Sequence, residues 1–263
     1  PRNPVRFVNS PALEPSPAAL PSSAEHVLFA GQGTFAFCNY WSKIFSSAMA
    51  EISALPAKEQ KSPEAMLSKL KHGRVLFDAA RLSLRYAYSD SLLGFGRVEQ
   101  PKELAGFRTH LVNSMEIFVI GHEIGHFLGH EAYPETLGVP PGANSKSHEL
   151  ECDAVGLAIT TAYGVREKNA LAFQLIGPLL FFYALRTCDR VKAILLDEAP
   201  AESASHPSHE ERFRFALSFL DAVGAKEEVK ESVQFALDIA MCVGSQVQLI
   251  ALDMKANVAA SGA

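Results

Sequence analysis

The sequence predicts a mainly α protein with a small β-sheet, an α+β arrangement, and three observations lead there. Several stretches carry apolar residues at helical spacing between recognisable start and stop signals. Only one region, around Val27 to Phe37, reads as β. The length of 263 residues suits one domain, placed at 25–263, behind a proline-rich arm at 1–24.

The arm has prolines at 1, 4, 11, 15, 17 and 21 among Ser and Ala, a composition that cannot build a core alone. From Glu25 to Tyr40, two short apolar runs flank Gly31-Gln32-Gly33, which predicts a strand or hairpin with a glycine turn. A phosphate-binding loop would need a further glycine and a lysine that are absent. Trp41 to Leu55 is amphipathic and stops near Pro56. Ser62-Pro63-Glu64 supplies a cap, a first-turn proline and a first-turn acid for a helix running to about Lys71. Arg74 to Asp90 repeats the helical period, and Ser91 to Gln100 reads as a loop. From about Leu104 to His130 the pattern is again helical, followed by a Gly/Pro-rich loop over 132–146 long enough to cover a site. The next helix runs from Ser147 to a stop at Gly164. Residues 167–186 predict a buried helix kinked at Gly177-Pro178. Their apolar run of about 16 residues is short of the roughly 20 that a membrane span needs. Thr187 to His206 reads as a connection. A helix entered through Pro207 continues to Val223, and a last one covers at least Glu227 to Val243, with frayed residues at the end.

Composition excludes some classes. The 48% apolar and 20% charged shares are those of a soluble globular chain, and a net charge of −5 offers no basic face for nucleic acid. Cys38, Cys152, Cys188 and Cys242 are widely spaced and form no C-x-x-C pair, as expected of free thiols in a reducing compartment, here the cytoplasm.

The chemistry concentrates in Asn113 to Glu131, NSMEIFVIGHEIGHFLGHE. His122 and His126, four apart, share one helix face and reach one metal ion together. Glu123 beside them is placed to act on a metal-activated water as general base. Gly125 allows another backbone to pack close. A catalytic zinc needs a third protein ligand, for which His130, Glu149, Glu151 and a more distant histidine are candidates. The metzincin pattern requires a histidine at 132, where this chain has Ala132. His130 lies about 6 Å further along the axis than His126 and is better placed as a neighbour. Glu149 is the preferred ligand. Asp153, one turn on, is positioned to hydrogen-bond a ligand histidine and fix its tautomer. Glu151 points to another side. Cys152 reads as a small residue packed on the motif helix, with a thiolate ligand or redox switch as the sharper alternative. His148 and His209 read as surface histidines that can line a groove, and Tyr133 and Tyr163 as possible oxyanion donors.

His122-Glu123-Ile124-Gly125-His126 followed by a helix carrying Glu149 and Asp153 resembles the gluzincin metallopeptidases. His206-Pro207 with Arg212 resembles the H-P-x-x-x-x-R segment of their heat-shock and CAAX-prenyl-protease type. The short gap from His126 to Glu149 and the histidine at 130 resemble the small cytosolic peptidases that cleave phage repressors. The resemblance spans about 100 residues, from Met115 to Phe215. It implies a zincin-like fold and Zn2+ bound by His122, His126 and Glu149. It also implies Glu123 as general base, Asp153 behind a ligand, and His206 and Arg212 supporting the cleft; in the expected mechanism His206 or Arg212 stabilises the developing oxyanion. The implied partner is a protein or peptide substrate; charge and motifs speak against nucleic acid, and the short apolar run at 167–186 speaks against a stable membrane span. A zinc hydrolase of a small amide and a catalytically silent metal-binding module are the alternatives.

Overall fold

The computed structural model describes residues 2–10, 17–132, 146–197 and 206–261. It is mainly α with one three-stranded sheet. The strands are β1 (Val5–Ser10), β2 (Ala18–Leu20) and β3 (His26–Gly31), in spatial order β1-β3-β2. β3 pairs parallel with β1, Val5 opposite His26, and antiparallel with β2, Ala18 opposite Phe29. Its central position explains its nearly continuous apolar run: five of the six residues in HVLFAG are buried. Two of the three strands come from the proline-rich arm, and its prolines lie outside them.

β3 is the strand expected within Glu25 to Tyr40, but the pairing replaces the hairpin and glycine turn offered beside it. Because β3 finds its partners upstream, no second strand follows it. Gly31 is extended and precedes α1 (Gln32–Ser53), which begins nine residues before the expected Trp41. α2 (Pro63–Lys71) starts as its cap predicts, with the Ser62 hydroxyl accepting from the Ala65 N–H. α3 (Val75–Ser89) and α4 (Ala105–Ala132) follow the helical pattern, and the loop expected at 132–146 lies largely outside the described residues.

α5 (Lys146–Arg166) runs past Gly164, which is no stop. The glycine faces the backbone of Phe173, where a side chain would collide. The kinked helix at 167–186 is instead two helices, α6 (Ala170–Phe173) and α7 (Ile176–Leu196). The break falls at Leu175, in left-handed conformation with φ 58°. Pro178 sits in the first turn of α7, where its missing N–H is not needed. α7 also takes up much of the expected connection after Thr187. α8 (His209–Ala222) has a full capping box, the Ser208 hydroxyl accepting from the Glu211 N–H and the Glu211 carboxylate accepting from the Ser208 N–H. α9 (Glu227–Ser261) extends as helix through the stretch expected to fray.

α7 is the centre of the bundle. Leu179, Leu180, Phe182, Cys188 and Val191 are fully enclosed by α1, α3, α4, α8 and α9. One helix stretch among the described residues, Glu227–Ala260, is long and apolar enough to cross a membrane by length and composition, and 44% of its apolar window is buried in the bundle. α4 divides its faces. Leu111, Met115 and Phe118 enter the main core, while Phe127 closes a smaller core with Leu28 and Ala30 under the sheet. The Phe127 ring stacks on His26 at 4.6 Å and 2°.

α4 and α5 cross antiparallel along a seam of small residues. A Cβ at Gly121 would fall 3.0 Å from Gly156 Cα, one at Gly125 2.7 Å from Cys152 Cα, and one at Gly129 2.8 Å from the His148 ring. The four-residue spacing on both helices is that of interlocking i±4 ridges. Gly125→Ala should therefore destabilise by about 1–3 kcal/mol through overpacking against backbone. Gly106→Ala, near the start of α4 in open space, should be neutral or stabilise by up to about 1 kcal/mol. Urea unfolding of the two variants checks the contrast.

Candidate metal centre

The seam carries the middle of α4 to the first turns of α5, and there three side chains meet. His122 Nε2 lies 3.3 Å from Glu149 Oε2, and His126 Nε2 lies 3.8 Å from Glu149 Oε1. The two imidazole centroids are 5.0 Å apart and nearly perpendicular. Ligand atoms of His122, His126 and Glu149 all fall within 4.8 Å of one another, so the group can hold a metal ion. For bonds of about 2.0–2.1 Å, tetrahedral ligands are separated by about 3.3–3.4 Å, close to the spacing found.

Behind this group the charges alternate. The His122 Nδ1 lies 2.8 Å from Asp153 Oδ1, so the ring donates there and turns its Nε2 toward Glu149. Asp153 is fully enclosed and accepts two hydrogen bonds from Arg212, Nε to Oδ2 at 2.8 Å and Nη2 to Oδ1 at 2.5 Å. The guanidinium also lies over the Phe182 ring at 4.9 Å. Arg212 is therefore committed to Asp153, and its part in the site is to hold that carboxylate. The capping box at Ser208 places it in the first turn of α8, aimed at α5.

The protonation states follow from this order. Burial opposes charge on Asp153, but Arg212 outweighs it and holds the carboxyl below its ordinary range. Burial likewise opposes charge on His122, yet its hydrogen bonds to Asp153 and Glu149 raise its pKa. Burial and then the neighbouring His122 push His126 down to about 4, leaving a neutral imidazole at neutral pH. Glu149 is held below its usual value because the His122 hydrogen bond and the surrounding imidazoles overcome burial. Burial lifts Glu123 to about 7, Glu149 adding to the rise, while His122, Arg212 and a hydrogen bond from the Ala19 backbone oppose it. Ala19 belongs to β2, so the arm lies against the general-base candidate.

His122, Glu123, His126, Glu149, Asp153 and Arg212 thus come together. His206 stands at the open side, its side chain 63% exposed and Nε2 3.6 Å from Glu149 Oε1. Glu151 points away to solvent. Tyr163 meets Asn113 near the far end of α5, away from the group. Tyr133 and the side chain of His130 lie outside the described residues.

His148 departs from its reading as a surface histidine. Its ring is half-buried against Gly129, with Nε2 3.3 Å from His126 Nδ1. The signal was present in the spacing, since His148 and Cys152 are four apart on the face next to that of Glu149 and Asp153. Glu116 was also missed. It lies two turns before Glu123 on α4, and burial lifts its pKa to about 7. With Gln32, Phe35, Ala36, Asn39 and Val112 it lines a cleft of about 440 Å³ between α1 and α4. In comparison with known proteins, no family model, no curated protein and no solved structure matches the chain.

Removing Arg212 leaves Asp153 as an uncompensated buried charge. Arg212→Met should cost about 3–5 kcal/mol in urea unfolding at pH 7. The pH dependence has a definite sign. Asp153 has a depressed folded pKa, so its contribution is complete above the ordinary value of 3.8 and is lost as the pH falls below it, through the folded value. The acid limb of the stability–pH curve should be correspondingly shallower in Asp153→Asn than in the parent.

Proposed function

We propose that the chain is a zinc-dependent metallopeptidase of the gluzincin kind, cutting peptide bonds in a peptide or protein substrate. The observation that carries this reading is the convergence of His122 Nε2, His126 Nε2 and the Glu149 carboxylate, with Glu123 next to the first ligand on the same helix. Two neutral-capable imidazoles and one carboxylate are the donor set of catalytic zinc sites that keep a position open. His122, His126 and Glu149 would hold the ion. When bound, zinc supplies a lowered pKa for water and polarises the scissile carbonyl.

The other steps belong to side chains of this chain. Asp153 keeps the His122 proton on Nδ1, and Arg212 keeps Asp153 ionised, so His122 presents a lone pair at Nε2. Glu123, lifted to about 7 by burial, is matched to general acid–base work near neutral pH. Its carboxylate takes a proton from the attacking water and returns it to the leaving amine nitrogen. His206, exposed beside Glu149, would meet a developing oxyanion from the solvent side, while the Arg212 guanidinium is bonded to Asp153. Four free cysteines support a cytoplasmic setting.

Elemental analysis and cleavage of a mixed peptide library test the reading together. The parent should hold one zinc at the three-ligand site and cleave. Glu123→Gln should keep that metal and lose cleavage by about 10²–10⁴-fold. Glu149→Ala should lose the metal of that site. Cleavage unchanged in Glu123→Gln would sink the peptidase mechanism, and protein that takes up no metal when zinc is supplied would sink the whole reading.

A further inference from the structure

The His126 ring has two sides. Its Nε2 faces Glu149, while Nδ1 faces a second convergent set on α5, with His148 Nε2 at 3.3 Å and Cys152 Sγ at 3.4 Å. Cys152 Sγ and His148 Nε2 are 3.8 Å apart. With metal–nitrogen bonds of about 2.0–2.1 Å and a metal–sulfur bond of about 2.3 Å, tetrahedral geometry separates two nitrogens by about 3.3 Å and nitrogen from sulfur by about 3.6 Å. The three spacings fall close to those edges. The donors are held by the fold. His148 is seated against Gly129 and Cys152 against Gly125, and either glycine replaced by a larger residue would displace its neighbour. His148 Nδ1 lies 3.8 Å from Glu151, which leaves Nε2 as the nitrogen turned inward.

A proton on His126 Nδ1 can be given well to only one of its two neighbours, whereas a cation among the three satisfies all of them. The Glu149 carboxylate across the His126 ring and the Glu151 carboxylate 3.8 Å from His148 Nδ1 favour a cation between them. We infer that His126 Nδ1, His148 Nε2 and Cys152 Sγ form a second position for a thiophilic divalent cation, joined to the three-ligand site through the His126 ring. Occupation displaces the thiol proton of Cys152 and the remaining ring proton of His126 to solvent, so the sulfur binds as thiolate and the ring bridges as imidazolate. The inference rests on the proposed three-ligand site only in its use of His126 as a bridge.

Cobalt(II) titration of the metal-free full chain, followed by visible and near-ultraviolet absorption and by elemental analysis, tests it. Two equivalents should bind, one of them with a thiolate-to-cobalt charge-transfer band and release of two protons. Cys152→Ser should lose that band and one equivalent while retaining the other. His148→Asn, at a half-buried position, should lose the same equivalent and serves if the cysteine variant does not fold. A single equivalent without the thiolate band overturns the inference and leaves the His122–His126–Glu149 site standing. A single equivalent carrying the band overturns the three-ligand site instead, and no bound cobalt overturns both.

Discussion

The close antiparallel crossing of α4 on α5 is the constraint on which the rest depends. Gly121 and Gly125 meet the backbones of Gly156 and Cys152 without intervening side chains, Gly129 seats the His148 ring, and Gly156 in turn faces the Phe118 carbonyl. A leucine anywhere in that seam would hold the helices apart by its own depth. Glu149 and Asp153 would then no longer reach the imidazoles one helix away. Small residues at the crossing weaken intrinsic helix propensity, so their use here trades local stability for approach. The neighbouring elements compensate. Phe118 packs on Phe182 of the central helix, and Phe127 stacks on His26 of the sheet, fixing α4 from both sides.

Within the crossing, charge is distributed so that each ionised group has an opposite or hydrogen-bonding neighbour. Arg212 holds Asp153, Asp153 holds His122, and His122 faces Glu149. No member of that series is tolerable alone in so enclosed a place, because an unpaired buried charge is expensive to desolvate. The series also ties α8 to α4 and α5, making the bundle and the site one mechanical unit. The role of Arg212 changes accordingly, from a group expected to meet substrate to one that positions a carboxylate.

The sheet adds a different kind of control. Its central strand has partners from the arm on both sides, and β2 brings the Ala19 backbone to Glu123. The arm's composition spoke against a core of its own, and none of its described side chains is buried. Its strands are held by backbone pairing to β3, and β2 also packs Ala19 against the Leu28, Ala30 and Phe127 cluster. Periodicity cannot reveal such an arrangement, since a three-residue edge strand carries almost no period and its partner is defined only in space.

Much of the helical framework was legible in the residues: caps such as Ser62, the first-turn Pro63, and the apolar spacing of α3 and α4. These are local signals, set by backbone hydrogen bonding and side-chain crowding within a few residues. The pairs His122/His126 and Glu149/Asp153 were legible for the same reason, because helical geometry puts residues four apart on one face. Tertiary structure alone decided that both faces are turned to each other, that Gly164 continues a helix instead of ending one, and that residues 167–196 break at Leu175. Gly164 packs on the Phe173 backbone and Gly177 on Ser114, contacts between helices that no local signal reports. Tertiary structure also decided that His148 and Cys152 converge on the second nitrogen of His126. A sequence names donor atoms and their spacing along one helix; their separation across two helices is set by how closely the backbones pack.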